Sequence, residues 1–232
     1  MKIMTFNTQH CLDYLKQRID YDLMADTIKN CEADIVGLNE MFDKGDRSLF
    51  EAQTEILSRK TGLENYYFAK AIDDYDGPYG NGFLSKYKIV KAEAIKIPDP
   101  NPRRYNGFYE TRCLLKATLE NGYTVLVTHF GLNVDEQENA VATILEHIKD
   151  TKCILMGDFN VTPDSELLKP IYERMVDTAT LFNGEKLSWP SDKPTMKIDY
   201  IFVSPDIKIV SADIPEIVAS DHRYHIAEIM PQ

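Results

Sequence analysis

Six places in the chain end or begin an apolar run with a side chain that can bind a cation or move a proton. Asn7 follows Ile3-Met4-Thr5-Phe6, and Glu40 follows Ile35-Val36-Gly37-Leu38-Asn39. His129 follows Val125-Leu126-Val127-Thr128, while Asp158 and Asn160 follow Ile154-Leu155-Met156-Gly157. Asp199 stands at the front of Tyr200-Ile201-Phe202-Val203, and Ser220-Asp221-His222 precedes the last apolar run. Each has a bland reading of its own: Asp158 as a turn cap, Asn7 as a partner for loop backbone, Asp221-His222 as a solvated strand entry. Six boundaries that all carry carboxylate, imidazole or amide groups exceed what capping requires. Carboxylates hold hard cations, imidazoles move protons near neutrality, and amides donate hydrogen bonds to anions. In open α/β sheets the ligand site lies beyond the strand ends, so these residues are expected to converge on one cleft.

The elements that must position them are legible as patterns. Short runs rich in β-branched and aromatic residues fall at 2–7, 34–38, 65–71, 82–84, 87–96, 113–119, 123–130, 152–157, 198–203, 206–211 and 225–230. Helical spacing joins Tyr21, Met24, Ile28 and Cys31, then Val134, Val141, Ile144, Leu145 and Ile148, then Leu49, Phe50, Ile56 and Leu57. Thr162-Pro163-Asp164 predicts the start of a short fourth helix. Asn121-Gly122 fits a two-residue hairpin between 113–119 and 123–130. Pro98, Pro100 and Pro102 lack backbone donors, which makes 98–109 a loop. Strands interspersed with helices and hairpins imply an α/β domain with one mixed sheet or two packed sheets. With 232 residues and about 150 per domain, one domain over 1–232 is expected.

Composition narrows the partners. The formal net charge is −11 and 44% of the residues are hydrophobic, values of an ordinary acidic globular protein. Such a field disfavours a broad basic track for nucleic acid, yet leaves open an enzyme with one local groove or a bound metal. No run of about 18 apolar residues predicts a membrane span. Cys11, Cys31, Cys113 and Cys153 are scattered with no C-x-x-C pair, and the first residues read as a buried strand. A cytoplasmic monomer with reduced thiols is therefore expected. Ser220-Asp221-His222 is no serine-hydrolase triad, because consecutive residues cannot face one another and G-x-S-x-G does not occur.

The order of these segments resembles the endonuclease/exonuclease/phosphatase superfamily, the DNase I-like metal-dependent phosphoesterases. The resemblance runs through Phe6-Asn7, Leu38-Asn39-Glu40, Tyr79-Gly80-Asn81-Gly82-Phe83-Leu84-Ser85, Thr111-Arg112 and Thr128-His129. It continues through Gly157-Asp158-Phe159-Asn160 and Lys197-Ile198-Asp199-Tyr200-Ile201 to Ser220-Asp221-His222. The fold it implies is a four-layered α/β/β/α sandwich, two mixed sheets face to face with helices outside. The activity it implies is divalent-metal-dependent hydrolysis of phosphoester bonds, with Mg²⁺ or Mn²⁺ as the cofactor.

The resemblance also implies roles. Glu40 is the expected metal ligand, and Asn7 and Asp221 complete or border that site. His222, paired with Asp199, is expected to act on the attacking water, with Asp158 orienting water or serving as the rival base. Asn160 would donate to a phosphate oxygen. His129 would stabilise the transition-state oxygen or protonate the leaving group, with Glu110 in the place of its acidic partner. Arg112 is expected in a structural ion pair.

The substrate is less defined. Leu38-Asn39-Glu40-Met41 is nearer the wording of DNases and lipid phosphodiesterases than that of abasic-site enzymes. The short chain and the charge favour a small-molecule or lipid-type phosphoester over duplex DNA. Specificity is expected from the 98–109 loop, where Arg103 and Arg104 can meet phosphate and Tyr105 can stack on a ring. The opposing readings are a nuclease acting on DNA or RNA, and a non-catalytic phosphate-binding module.

Overall fold

The structure, a computed structural model, describes residues 1–45, 50–74 and 76–230. In chain order it forms β1 (Lys2–Asn7), β2 (Leu12–Asp13), β3 (Arg18–Ile19), α1 (Tyr21–Asn30), β4 (Ile35–Phe42) and α2 (Gln53–Thr61). There follow β5 (Asn65–Asp74), β6 (Gly77–Ser85), β7 (Ile89–Lys96), β8 (Cys113–Leu119), β9 (Thr124–His129), α3 (Val134–His147) and β10 (Cys153–Asp158). The last third holds α4 (Lys169–Tyr172), β11 (Val176–Asp177), β12 (Asp199–Val203), β13 (Ile209–Asp213) and β14 (His225–Ile229).

Among the described residues the strands make two six-stranded sheets, β13-β14-β1-β4-β6-β5 and β11-β12-β10-β9-β8-β7, and the β2-β3 ribbon. Both large sheets are mixed: β1 runs parallel to β4 and β9 parallel to β10, while their other neighbours are antiparallel. Strand alternation sorts the core into layers. Ile3, Ile35 and Phe83 from the first sheet meet Leu115, Val127, Ile154 and Met156 from the second, filling the space between sheets. Met4, Phe6, Val36 and Leu38 point the other way, onto Met24 and Ile28 of α1 and Leu57 of α2. Leu126, Leu155 and Phe202 likewise face Val141 and Ile144 of α3. The result is the expected sandwich, helices outside two packed sheets.

Central strands buried on both faces explain the continuous apolar runs. The sheets approach closely at Gly37, where a Cβ would come within 2.7 Å of Met156 Sδ. The Asn121-Gly122 hairpin forms as expected, with Gly122 at a φ of +85°.

Two local expectations change. Thr162-Pro163-Asp164 makes a turn, with Ser165 N–H donating to Thr162 O, and helical structure begins only at Glu166. Of the third helical stripe, Ile56 and Leu57 lie on α2, whereas Phe50 precedes it and stacks on Phe42 at 4.4 Å. Leu49 lies outside the described residues.

Candidate active site

The polar strand-end residues meet at one end of the sandwich, and register places them there. Asn7 is opposite Asn39 in the parallel β1–β4 pair. Asp158 is opposite His129 in β9–β10 and opposite Asp199 in β10–β12. Adjacent ladders that end together deliver their last side chains to a common point.

Asn7 is the bridge between the sheets. Its Nδ2 donates to Glu40 Oε1 and to Asp158 Oδ2, each at 3.0 Å. Its Oδ1 accepts the Gln9 backbone N–H at 3.1 Å, which fixes the amide so that the NH₂ faces the carboxylates. Glu40 sits at a register break in β4 between Leu38 and Met41, with a φ of +57°. A non-glycine residue in the left-handed region costs energy, and such strain concentrates where a side chain must be aimed. Here the bulge turns Glu40 into the cleft.

Asp158 is 1% exposed. Its Oδ1 accepts the Asn160 N–H at 2.9 Å, and its own N–H donates to Asn39 Oδ1 at 3.0 Å. Phe159, between the two polar residues, packs on Phe130 and Tyr200 with ring centroids 4.6 and 5.0 Å away and anchors the turn in the core. Asn160 has a φ of +51°, and one of its amide hydrogens goes to Phe130 O at 3.0 Å.

His222 Nδ1 donates to Asp199 Oδ2 at 2.9 Å, and its Nε2 lies 3.6 Å from Asp158 Oδ2 and 4.0 Å from Asp221 Oδ2. Burial alone would lower its pKa, but the carboxylates of Asp199 and Asp158 outweigh burial and raise it. Burial, reinforced by Asp199, raises the Asp158 pKa against the opposing pull of His222. The two groups thus form an ion-pair contact across 3.6 Å in a buried setting, each favouring the charged form of the other.

His129 is reached from the other side. Arg112 Nη1 donates to its Nδ1 at 3.0 Å, and its Nε2 stands 3.5 Å from Asp158 Oδ2. Glu110, expected beside His129, instead pairs with Arg112 Nη2 at 3.0 Å, so the guanidinium stands between them. Arg112 keeps the ion pair expected of it.

The 98–109 loop is pinned to α3 and to itself. The Arg103 guanidinium lies over the Tyr109 ring at 4.6 Å, and Arg104 pairs with Glu138 and covers Tyr105. Arg104 N–H and Tyr109 OH both donate to Asp135, each at 2.9 Å. These contacts do not bring Arg103, Arg104 or Tyr105 to the carboxylate cluster.

Sequence reading passed over Asn39 as a contributor. Its amide donates to Asn81 Oδ1 and to Thr128 O, each at 2.8 Å, and accepts from Asp158, tying four strands beneath the cleft. An amide inside an otherwise apolar strand was the available signal.

The donor set fits a hard divalent cation. Glu40, Asp158, Asp199 and Asp221 bring four carboxylates to one cleft, where among the described residues His222, Arg112 and Lys197 are cationic groups set against them. Oxygen donors in such excess suit Mg²⁺ or Mn²⁺. Ligand atoms of Asp158, Asp199 and His222 also lie within 4.8 Å of one another, a second grouping able to hold an ion.

The four-layered arrangement of two mixed sheets defines the DNase I-like fold class. Residues 4–222 match the model of the Endonuclease/Exonuclease/phosphatase family, and the chain belongs to that family. A crystal structure of an endonuclease/exonuclease/phosphatase from Beutenbergia cavernae is similar at 21% identity and a TM-score of 0.79, over 99% of this chain and 71% of that one. A mannosyl-6-phosphatase of Bacteroides thetaiotaomicron gives 16% identity and a TM-score of 0.76, over 99% of each chain. The catalytic domain of human Nocturnin, solved with a bound sulfate anion, gives 18% and 0.72, over 100% of this chain and 93% of that one. A comparison with curated proteins finds no match.

Proposed function

We propose that this chain is a divalent-metal-dependent hydrolase of phosphoester bonds, acting on a small-molecule or lipid-type phosphoester. The observation that carries the reading is the convergence of Glu40, Asp158, Asp199, His222 and His129 through hydrogen bonds and ion-pair contacts that link the two sheets.

Glu40 is the principal holder of Mg²⁺ or Mn²⁺, with Asp221 as the second carboxylate. Asn7, whose NH₂ faces Glu40, borders the site and holds Glu40 and Asp158 in place. Bound there, the cation would screen the substrate's negative charge and polarise the phosphoryl oxygen. His222, oriented by Asp199, and Asp158 together receive the proton of the attacking water. Asn160 donates to a phosphoryl oxygen through its remaining amide hydrogen, and His129 faces the same cleft through Nε2. Glu110 acts on this group through Arg112. Arg103, Arg104 and Tyr105 are rim residues that meet the non-phosphate part of the substrate. The whole of 1–232 works as one catalytic domain, cytoplasmic and monomeric. Within the described residues, no helix is long and apolar enough to cross a membrane.

The small-substrate reading draws support from the net charge of −11 and from a loop whose two arginines are already engaged. That a mannosyl-6-phosphatase shares the fold over 99% of its chain is consistent with it. The test is a panel assayed side by side with Mg²⁺ or Mn²⁺: a hexose 6-phosphate, inositol phosphates, sphingomyelin, plasmid DNA and an abasic-site duplex. Turnover of a small or lipid-type ester, at least about tenfold above either DNA in kcat/KM, is the expected outcome; tenfold is about 1.4 kcal/mol of transition-state binding. Preferential DNA cleavage would move the assignment to a nuclease, and inertness on all five would leave a phosphate-binding module.

A further inference from the structure

His129 is 4% exposed, and its two ring nitrogens face unlike neighbours. On the Nδ1 side stands Arg112, 3.0 Å away. On the Nε2 side stands Asp158, 3.5 Å away. A guanidinium has five donors, no acceptor and a permanent charge. The short Arg112–His129 contact is therefore a hydrogen bond only when Nδ1 is the acceptor and carries no proton. The neutral ring must then hold its single proton on Nε2, the nitrogen that faces the cleft.

Arg112 is itself held from two directions. Its Nη2 pairs with Glu110 at 3.0 Å, and Tyr79 shares a hydrogen bond with it. Its side chain is 10% exposed, so the charge cannot swing out to solvent without breaking these contacts. The guanidinium is thus a fixture that the imidazole must accommodate, and not the reverse.

We propose that Arg112 is a positioning residue that locks His129 as a neutral Nε2–H donor, so that His129 stabilises negative charge on a phosphoryl oxygen by hydrogen bonding and is not the proton donor to the leaving group. The proposal rests on the phosphoesterase reading for its use of the donor, but the tautomer itself follows from the Arg112 contact alone. The charged and titratable groups facing His129 are Arg112 from the segment before β8, Asp158 at the end of β10 and His222 before β14. Of these, Arg112 makes the short contact at Nδ1, and its donors admit no proton on that nitrogen. A donor already protonated at Nε2 and aimed needs no reorganisation as the reaction proceeds, the condition under which such hydrogen bonds contribute most.

Two readouts test this. Histidine-selective ¹⁵N labelling, with the His129 signals identified by their loss in His129→Gln, reports which nitrogen carries the proton, in the presence and absence of Mg²⁺. The wild-type protein should show unprotonated Nδ1 and protonated Nε2. Arg112→Met should allow both tautomers or a second proton. Arg112→Lys, whose ammonium also only donates, should restore the wild-type pattern. With bis-(p-nitrophenyl) phosphate and Mg²⁺, Arg112→Met should lower kcat by roughly 10²-fold, the scale of losing one preorganised donor, while KM shifts less than about threefold. Arg112→Lys should recover part of that loss. A proton on Nδ1 in the wild type would overturn the proposal, as would an unchanged His129 pattern in a folded Arg112→Met protein. Should the phosphodiester not turn over at all, the phosphoesterase reading fails while the ¹⁵N pattern still decides the tautomer.

Discussion

Asp199 is wholly buried; its Oδ2 takes the Nδ1 hydrogen bond of His222, and its Oδ1 has no hydrogen-bond partner. Leaving a buried carboxylate oxygen unpaired costs stability, on the order of 1–3 kcal/mol, so the site keeps a charge there at some expense. That charge raises the His222 pKa and fixes which ring nitrogen faces Asp158. Asp199→Asn keeps the shape and removes the charge. It should lower kcat on bis-(p-nitrophenyl) phosphate by about 10²–10⁴-fold with little change in KM, and steady-state kinetics would show it. Activity within a few-fold of wild type would remove His222 from the proton path. At this scale the sequence already marked the right strand ends, because Asn7, Glu40, His129, Asp158, Asp199 and His222 each interrupt an apolar run. It could not show the Arg112–His129 contact or the Glu110–Arg112 pair, since both depend on how the chain enters β8 alongside β9 in space. Nor does any local pattern mark Glu40 as left-handed; that comes from its antiparallel partner β6 slipping register at the same place.

At the scale of elements, the β9–β10 pair carries His129 and Asp158 in register, and Gly157 makes that register possible. Its φ is +145°, and a Cβ there would fall 1.9 Å from Thr128 O, inside the backbone of the neighbouring strand. Gly157→Ala should therefore cost about 3 kcal/mol or more, from the strained dihedral together with the displaced strand. For a chain of this size that is a fall in Tm of roughly 6–12 °C, readable by calorimetry. A Tm within about 2 °C of wild type would show that the pair can part there without penalty. The doubly buried strands β1, β4, β9, β10 and β12 were legible as apolar runs, and the Asn121-Gly122 hairpin as a turn signal. The short β2, β3 and β11 were not, because two-residue strands owe their existence to the partner they meet. The start signal at Thr162-Pro163-Asp164 failed because the chain first turns beside Asn160, whose left-handed conformation redirects it.

For the whole molecule, the charge of −11 and the four carboxylates of the cleft act in the same direction. A polyanion approaching without a cation meets repulsion at long range and at the site. Duplex DNA should bind no tighter than about 10⁻⁴ M at physiological salt, the weak end of non-specific association. Fluorescence anisotropy with a labelled duplex checks this, and micromolar binding would return nucleic acid to the front of the substrate question. Fold class was legible because the motifs are spread over nearly the whole chain, from Asn7 to His222. Substrate class was not: the arginines of the 98–109 loop, read as phosphate partners, turn in space to Tyr109 and Glu138. The central claim is that the cleft is a cation-dependent phosphoester hydrolysis site, and hydrolysis of bis-(p-nitrophenyl) phosphate as a function of Mg²⁺ or Mn²⁺ tests it most directly. The account predicts saturable activation by the cation in wild type, with kcat/KM at least about 10²-fold lower in each of Glu40→Ala, Asp158→Ala and His222→Ala. Activity that persists in all three folded variants, or that ignores chelation of the metal, would contradict it.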